Sequence, residues 1–368
     1  MSHGFVTVQW TRRKVIYDVA LVATVAAYLG LYPILSKMGQ PRITPEIVSM
    51  RAWGSCAFLM LTLILSIGPL ARLDKRFLPL LYNRRHFGVL MFVVALGHLY
   101  FVQAYYYAYS PQDPLVSILT QDTVPMGGAL PFPLFGLIAL AILFLMALTS
   151  HDFWQKALGP RAWKRLHMAV YVAYFAVVLH VAFGAFQWET SLVFVGVFLL
   201  GAAAVSVLHV LAASRSNALD AVEVRWVDHD GGQWIDAGPA DRIPDGRALP
   251  VVNPNGERIA VVRDGDLVTA IHGVCAHQGG PLYEGKVLDG CLTCPWHGWQ
   301  YRTSDGQSPP PFEERLPTYR VALAPSDGAG GAPPGAMRLL VDPTPQPPGT
   351  RLEPVRLSPT RPEASDAE

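Results

Sequence analysis

Long apolar stretches fill the first part of this chain and constrain its fold more than any other feature of the sequence. Each approaches or exceeds the roughly 20 residues that a helix needs to cross the hydrocarbon core of a bilayer. A backbone in lipid must satisfy its own hydrogen bonds, and a single apolar segment does so only as a helix. The six stretches cover residues 15–36, 51–70, 87–109, 131–149, 166–186 and 190–212. They predict an all-α bundle of six transmembrane helices.

The first stretch has a second interpretation, a cleaved signal peptide. Its apolar run is long for the apolar region of a signal peptide, and no small-x-small cleavage site follows it. We therefore interpret residues 15–36 as a retained span that follows a short cytoplasmic segment at 1–14.

Composition divides the chain in two. The whole sequence is 51% hydrophobic and only 15% charged, which is unusual for a soluble protein, and its net charge of +1 argues against a nucleic-acid binder. Many of the acidic residues, glycines and prolines lie after residue 220. We expect a membrane domain at 15–213, a linker at 214–221, a second domain at 222–342 and a disordered proline-rich tail at 343–368.

Lysine and arginine are distributed unevenly between the ends of the predicted spans. Twelve lie in the N-terminal segment and in the second and fourth connections, three lie in the first connection, and none lies in the third or the fifth. The positive-inside rule then places both termini in the cytoplasm. The sequence thus predicts a multi-pass protein of the bacterial inner membrane whose second domain faces the cytoplasm.

Cysteine and histidine are combined in two short motifs of the second domain. Cys275-Ala-His277 is followed, after sixteen intervening residues, by Cys294-Pro-Trp-His297. One Cys and one His on each of two loops form the ligand set of a Rieske [2Fe–2S] cluster, in which two Cys hold one iron and two His the other. A structural zinc site is the alternative, but zinc motifs usually keep like ligands together. Cys291, three positions before Cys294, is a candidate spare ligand.

Residues 222–342 resemble the Rieske ferredoxin domains of bacterial electron-transfer chains. The resemblance is carried by C-A-H-Q-G-G-P-L at 275–282 and C-P-W-H-G-W-Q-Y at 294–301. It implies an all-β domain and a cluster with four protein ligands. The implied ligands are Cys275, His277, Cys294 and His297.

This chain departs from the Rieske proteins of cytochrome bc-type complexes at three positions. Those proteins have an additional, disulfide-forming Cys in each loop, where this chain has Gly280 and Trp296. They also have a hydroxyl residue aimed at a bridging sulfur, where this chain has Trp299. Fewer hydrogen bonds to sulfur stabilise the reduced cluster less, so we expect a potential of roughly −150 mV, near the low end of the Rieske range.

Four histidines lie in or beside two of the predicted spans, where ionisable residues usually have a function. His86 and His98 belong to the third span, and His167 and His180 to the fifth. Within each pair the residues are about 18–20 Å apart along the helix axis, so two facing helices provide two levels of imidazole. This arrangement predicts bis-His b-type haem, a form of ligation that favours electron transfer. His86 lies about 120° around the helix from His98 and follows two arginines, so an interfacial role is its alternative and the prediction is for one or two haems.

The membrane region also resembles a known family, the ferric reductase-like transmembrane domain, over residues 15–213. The resemblance is carried by N-R-R-H-F-G-V-L-M-F-V-V-A-L-G-H at 83–98 and by the segment from S-H-D-F-W to L-H-M-A-V-Y at 150–171. It is greatest to a bacterial haem-b branch that includes the membrane partner of periplasmic methionine sulfoxide reductase. That branch implies haem ligands at His98, His167 and His180, and it has no fixed histidine at the position of His86.

The soluble part is predicted to be all-β from a hairpin signal and several short strand-like segments. Glu257–Val262 and Leu267–His272 flank an Asp-Gly step that predicts a hairpin. Further strands are predicted at Val222–Val227, Thr318–Ala322 and Met337–Val341. No dinucleotide or phosphate-binding motif is found, so the Rieske domain occupies the place of the flavin module that ferric reductases carry.

Taken together, the two regions predict a membrane-bound electron carrier, an oxidoreductase component of uncertain enzymatic status. A cytoplasmic reductase or ferredoxin would deliver electrons to the cluster, and an unidentified periplasmic acceptor would receive them by way of the haem. Two alternatives remain open at this point. One is a quinone- or quinol-linked oxidoreductase, and the other is a redox-sensing membrane protein.

Overall fold

The computed structural model describes residues 12–39, 43–77, 80, 84–120, 132–187, 191–220, 224–277, 279–296, 298–310, 312–326 and 336–357. The chain divides into two compact units, one formed by Gln9–Ser214 and the other containing Arg215–Glu368. The first unit is helical and the second is built from β-strands. The predicted order, with helices first and a β domain after them, is confirmed.

The described part of the first unit contains long apolar helices joined by short connections. A helix exposes apolar side chains to lipid and pairs its own backbone N–H and C=O groups, so it is favoured over an extended chain in a membrane. The helices are α1 (Arg12–Gly39), α2 (Pro45–Leu73), α3 (Arg84–Tyr109), α4 (Pro114–Thr120), α5 (Phe132–Leu148), α6 (Asp152–His167), α7 (Val170–Phe183) and α8 (Leu192–Asp220).

Five described segments are long and apolar enough to cross a membrane, which makes the protein a multi-pass membrane protein. They are Val15–Met38, Pro45–Leu73, Arg84–Tyr109, Ala162–Phe183 and Leu192–Arg215. The remaining predicted span forms α5, which has only 17 residues. At 1.5 Å per residue such a helix is roughly 25 Å long, slightly less than the roughly 30 Å of the hydrocarbon core. The count of six therefore stays a prediction.

Helix α2 lies at the centre of the helical unit. In the most apolar part of α2, 56% is buried inside the protein, compared with 6–17% in the corresponding parts of the other four candidate spans. The α2 side chains reach both α7 and α8, because Thr62 is hydrogen-bonded to Tyr174 and Phe58 stacks on Phe198. The other helices bury a smaller share of their surface, as expected where lipid covers the outer faces.

Two helical features differ from the predicted boundaries. The predicted fifth span lies in the apolar segment Ala162–Phe183, in which a turn at Met168–Ala169 separates the end of α6 from α7. Helix α8 continues to Asp220 through the predicted linker at 214–221. The linker residues include Arg215, Ala218 and Leu219, and all three favour helices.

The described residues of the second unit form three antiparallel sheets. One has the order β1-β2-β11-β10, the second has the order β12-β5-β4-β3 with β9 also paired to β5, and the third has the order β6-β7-β8. The strands are β1 (Trp226–His229), β2 (Gly232–Pro239), β3 (Ala248–Val252), β4 (Arg258–Asp264), β5 (Leu267–His272), β6 (Lys286–Leu288), β7 (Cys291–Thr293), β8 (Gln300–Arg302), β9 (Thr318–Tyr319), β10 (Val321–Pro325), β11 (Met337–Val341) and β12 (Val355–Arg356).

Strand β4 supplies side chains to two separate apolar cores, because successive side chains of a strand point to opposite faces. Ile259 and Val261 belong to the core shared with β2, β5 and β11. Ala260 and Val262 belong to a second core with Leu292, Trp299 and Tyr301, which also contains Cys275 and Cys294. The two motif cysteines therefore lie against a packed hydrophobic layer.

The predicted hairpin is present, with Asp264 paired to Leu267 and a positive φ of 61° at Gly265. The predicted disordered tail at 343–368 is wrong for residues 343–357. Val355 pairs with Val268 of β5, and Leu357 packs against the first core. These backbone and apolar contacts hold a segment whose proline content suggested disorder. Residues 358–368 lie outside the described residues.

Candidate functional site

The two Cys/His loops have the same backbone hydrogen-bond pattern. In the first loop the Cys275 N–H donates to the Gly280 carbonyl at 2.8 Å, and the Gly279 N–H donates to the Cys275 carbonyl at 2.8 Å. In the second loop the Cys294 N–H donates to the Trp299 carbonyl at 2.7 Å, and the Gly298 N–H donates to the Cys294 carbonyl at 2.9 Å. The matching glycines have φ values of 74° and 72°, which residues with a Cβ rarely adopt. Each Cys is thus held by a loop of identical construction.

Both cysteines are buried, and the space around the Cys294 sulfur depends on a glycine. Cys275 and Cys294 are each 2% exposed. A Cβ on Gly280 would lie 2.6 Å from the Cys294 Sγ and 3.2 Å from the Trp296 ring. The absence of a side chain at Gly280 therefore leaves room for the sulfur of the other loop. Two buried cysteines on matching loops fit the sulfur ligands of an iron–sulfur cluster.

His277 lies flat against a tryptophan of the opposite loop. The His277 and Trp299 ring centroids are 4.2 Å apart, with an interplanar angle of 7°. Trp299 is held in turn by a hydrogen bond from its Nε1 to the Ser308 Oγ at 3.0 Å and by contact with Phe312. The sequence identified Trp299 only as a substitute for a hydroxyl residue. The fourth predicted ligand, His297, lies outside the described residues.

Tyr301 contacts the first loop and was missed in the sequence. Its hydroxyl lies 3.5 Å from the Cys275 Sγ and accepts a hydrogen bond from the Ala276 N–H at 3.1 Å. Burial, and then the negative charge on Cys275, raise the pKa of Tyr301 above its usual range. The hydroxyl therefore stays protonated and is available to donate to the sulfur. The available signal was the tyrosine that closes the C-P-W-H-G-W-Q-Y motif.

Cys291 is placed differently from the motif cysteines. It lies in β7, where it pairs with Leu288 on one side and Arg302 on the other. Burial raises the pKa of the Cys291 thiol. Because the thiolate is the metal-binding form, this environment disfavours Cys291 as a cluster ligand.

In the helical unit the structure brings His98 and His180 together. His98 lies in α3 and His180 in α7, and their ring centroids are 6.2 Å apart at an interplanar angle of 78°. Two imidazole–metal bonds of about 2 Å, with about 1 Å from each nitrogen to its ring centre, separate two centroids by about 6 Å when one ion lies between them. The spacing therefore fits two histidines that would bind one iron between them.

The hydrogen bonds of these two rings determine which ring nitrogen is free of a proton and can bind a metal. The Nδ1 of His98 lies 2.9 Å from the Met50 carbonyl oxygen, and the Nδ1 of His180 lies 3.0 Å from the Phe132 carbonyl oxygen. A carbonyl only accepts, so each Nδ1 carries the proton and each Nε2 keeps its lone pair. Neutral imidazoles oriented in this way are suited to bind metal through Nε2.

The other two histidines have separate partners. The Nδ1 of His86 lies 2.8 Å from the Asp18 Oδ2. The Nε2 of His167 lies 3.2 Å from the Thr149 Oγ1, and its ring stacks on Trp163 with centroids 3.9 Å apart. Their assignment as haem ligands stays a prediction.

Comparison with known families decides the identity of both units. The family described as ferric reductase like transmembrane component matches residues 51–178, and the Rieske [2Fe-2S] domain matches residues 233–320. This chain joins a ferric reductase-like transmembrane domain to a Rieske [2Fe–2S] domain. Both resemblances inferred from the sequence are confirmed, and the Rieske domain supports a [2Fe–2S] cluster.

Several curated proteins are similar to one of the two domains. The heme-binding subunit MsrQ of a protein-methionine-sulfoxide reductase from Brucella ovis is 34% identical over 134 residues, which is 36% of this chain and 54% of the relative. The anthranilate 1,2-dioxygenase ferredoxin subunit of Burkholderia cepacia is 38% identical over 66 residues, 18% of this chain and 59% of the relative. Cholesterol 7-desaturase nvd of Xenopus laevis is 37% identical over 75 residues, 19% of this chain and 16% of the relative. The chain thus spans less than two thirds of each relative.

Proposed function

We propose that this membrane electron-transfer protein moves single electrons from a cytoplasmic donor to an extracytoplasmic acceptor, with a [2Fe–2S] cluster and b-type haem as its redox centres. The observation that carries the proposal is the pair His98 and His180, whose rings are 6.2 Å apart with both Nδ1 atoms bonded to backbone carbonyls. The relative from Brucella ovis, described as a heme-binding subunit, supports the same cofactor. Each transfer oxidises the donor by one electron and reduces the acceptor by one.

The proposal assigns a role to each of these residues. Cys275, Cys294, His277 and His297 would hold the cluster, and the Tyr301 hydroxyl would stabilise negative charge on the Cys275 sulfur. His98 and His180 would hold one haem. When bound, a haem with two histidine ligands supplies a reversible one-electron change with no open position for oxygen.

A second haem near the positively charged ends of α3 and α6 is part of the proposal. Metal-binding histidines usually donate their other ring N–H to a carboxylate or a carbonyl, and the contact of His86 with Asp18 has this form. His167 differs, since its Nε2 is engaged by Thr149. We propose His86 and His167 as the ligands of this second haem. The ligand variants described below determine whether it is bound.

The direction of transfer rests on the positive-inside rule and on the expected low cluster potential. The relative from Burkholderia cepacia is a ferredoxin subunit, which is consistent with a cluster that exchanges electrons with a soluble reductase or ferredoxin. A periplasmic reductase, ferric iron and oxygen are the candidate acceptors. Fusion of green fluorescent protein or alkaline phosphatase to the C-terminus tests the orientation, because only the first is active in the cytoplasm. Phosphatase activity would reverse the proposed direction.

The cofactor content is tested on the full-length protein purified in detergent. Iron and haem b are quantified, and the sample is then reduced stepwise while optical and EPR spectra are recorded. We expect a b-type absorption band together with a Rieske EPR signal. A wild-type protein without any b-type band would overturn the haem proposal.

Ligand variants separate the two centres. His98→Ala should remove one haem and leave the Rieske EPR signal, whereas Cys294→Ser should remove the Rieske signal and leave the haem. His86→Ala and His167→Ala, compared with His98→Ala, determine whether a second haem is bound. In the wild type, a cluster that is reduced while the haem stays oxidised for many seconds would contradict the proposed transfer.

A further inference from the structure

A glycine of the neighbouring helix lies directly against the ring of His98. Gly54 belongs to α2, and a Cβ built on it would be 2.9 Å from both the Nδ1 and the Cε1 of His98. Real Cβ atoms essentially never approach other atoms so closely, so the ring occupies space that any side chain at position 54 would need. The same ring donates its Nδ1–H to the carbonyl of Met50, four residues before Gly54.

The ring of His180 has the same environment on a different pair of helices. Gly136 belongs to α5, and a Cβ built on it would be 2.9 Å from the Nδ1 and 3.0 Å from the Cε1 of His180. The Nδ1–H of His180 is donated to the carbonyl of Phe132, again four residues before the glycine. Two histidines on α3 and α7 thus meet α2 and α5 through identical contacts.

The spacing of four residues has a structural reason. In an α-helix the carbonyl of residue i accepts the N–H of residue i+4, so the Met50 carbonyl points along the helix towards Gly54. A carbonyl has a second lone pair, and here an imidazole that reaches it passes close to residue i+4. A glycine at that position leaves room for the ring against the helix surface.

We propose that Gly54 with the Met50 carbonyl, and Gly136 with the Phe132 carbonyl, are two matching cradles that preset the tautomer and ring plane of His98 and His180. The four residues are positioning residues and do not touch the iron. The inference rests on the proposed haem site and deepens it. The interplanar angle of 78° between the rings follows from the orientations of the two cradles.

The ring angle gives the proposal a spectroscopic readout that a role in helix packing would lack. Nearly perpendicular axial imidazoles leave two iron d orbitals close in energy, and the low-spin ferric EPR signal is then highly anisotropic. Parallel imidazoles separate those orbitals and give a less anisotropic signal. A change in ring plane therefore changes the largest g value even where the haem stays bound.

The chain supplies matched controls for alanine substitution. Gly88 in α3 and Gly196 in α8 have nothing within 4 Å of a built Cβ. Alanine is a better helix former than glycine, so Gly88→Ala and Gly196→Ala should behave as wild type or slightly better. Gly54→Ala and Gly136→Ala differ from them only in what the new methyl group meets.

The experiment compares these four variants with the wild type as full-length protein in detergent. Haem b per chain, the largest ferric haem g value and the Rieske EPR intensity are measured for each. We expect Gly54→Ala and Gly136→Ala to shift the g value and to retain haem roughly tenfold less tightly, with the Rieske signal unchanged. Equal g values and equal haem retention in Gly54→Ala and Gly88→Ala would overturn the inference. A wild type without haem would instead overturn the proposed function.

A double-mutant cycle keeps the test decisive if Gly54→Ala accumulates poorly. The three atoms nearest to the added methyl group would all belong to the His98 ring, so the cradle predicts that the collision is with this ring. Gly54→Ala should then reduce the accumulation of protein that retains His98. It should have no such effect in protein that also carries His98→Ala. The Rieske EPR signal measures the amount of folded protein in each case. An equal loss in both backgrounds would assign Gly54 to helix packing and reject the cradle.

Discussion

Trp299 lies flat against His277, with the two ring centroids 4.2 Å apart and the ring planes inclined by 7°. The two residues come from different cluster loops, so the stack joins one loop to the other. The indole Nε1 of Trp299 donates a hydrogen bond of 3.0 Å to the Ser308 Oγ, which fixes the position of the ring. The orientation of His277, a proposed cluster ligand, is therefore determined by residues outside the proposed ligand set.

Replacing Trp299 by Ala should destabilise the β domain and broaden the Rieske EPR signal. Trp299 is only 5% exposed, and removal of such a ring from a core costs about 3–5 kcal/mol. Thermal unfolding and the EPR linewidth measure the two effects. Trp226→Ala is the matched control, because Trp226 is 41% exposed and its removal should lower the free energy of unfolding much less. Similar losses in the two variants would contradict the role of the stack.

Gly280→Ala should prevent stable assembly of the cluster. The added methyl group would lie 2.6 Å from the Cys294 Sγ, so either the sulfur or the first loop must move. Second-sphere changes at metal sites typically cost about 10–100-fold in affinity, and this one acts directly on a ligand atom. Iron and labile sulfide per chain provide the measurement. Gly232→Ala is the control, since its Cβ would meet no atom closer than 3.8 Å, and full iron content in Gly280→Ala would refute the argument.

The sequence was sufficient to locate both functional regions because their signals are local. The Cys/His spacing predicted the Rieske domain, and apolar length predicted the membrane region. Strands β5 and β11 have the predicted boundaries. The candidate haem histidines were singled out for a similar reason, since an ionisable residue inside an apolar stretch is conspicuous, and their role stays a prediction.

Features that depend on distant residues were not predictable. The contact of Tyr301 with Cys275 joins positions 26 residues apart, and that of His180 with the Phe132 carbonyl joins positions 48 apart. No local pattern contains such pairings. The proline-rich segment at 343–357 was misjudged because composition does not reveal that β5 has a free edge for Val355.

Tyr301→Phe should lower the reduction potential of the cluster. Its hydroxyl lies 3.5 Å from the Cys275 Sγ, and a donor at this position stabilises the more negative, reduced state. Loss of a hydrogen bond of about 1 kcal/mol corresponds to a decrease of about 40 mV for a one-electron couple. An EPR-monitored titration measures the shift. Tyr283→Phe, which removes a hydroxyl bonded to Arg258 in the same core, should leave the potential near the wild-type value.

Acidification should destabilise the β domain through His272. Burial lowers the pKa of His272, and the nearby Glu257 carboxylate opposes this only in part. Its Nδ1 is buried without a hydrogen-bond partner among the described residues, so a proton taken up in the fold would gain no acceptor there. The unfolded chain, with a histidine pKa of about 6.5, therefore binds a proton before the folded chain does.

The sign of the effect follows from that difference in proton uptake. Stability rises with pH wherever the unfolded state holds more protons, so the contribution of His272 is complete above about pH 6.5 and decreases as the pH falls below that value. His272→Gln removes this titration and leaves the cluster ligands in place. Between pH 7 and pH 5 the wild type should therefore lose more thermal stability than His272→Gln, measured by the unfolding of the β domain. Parallel losses in the two proteins would show that other groups, such as the cluster histidines, account for the whole pH dependence.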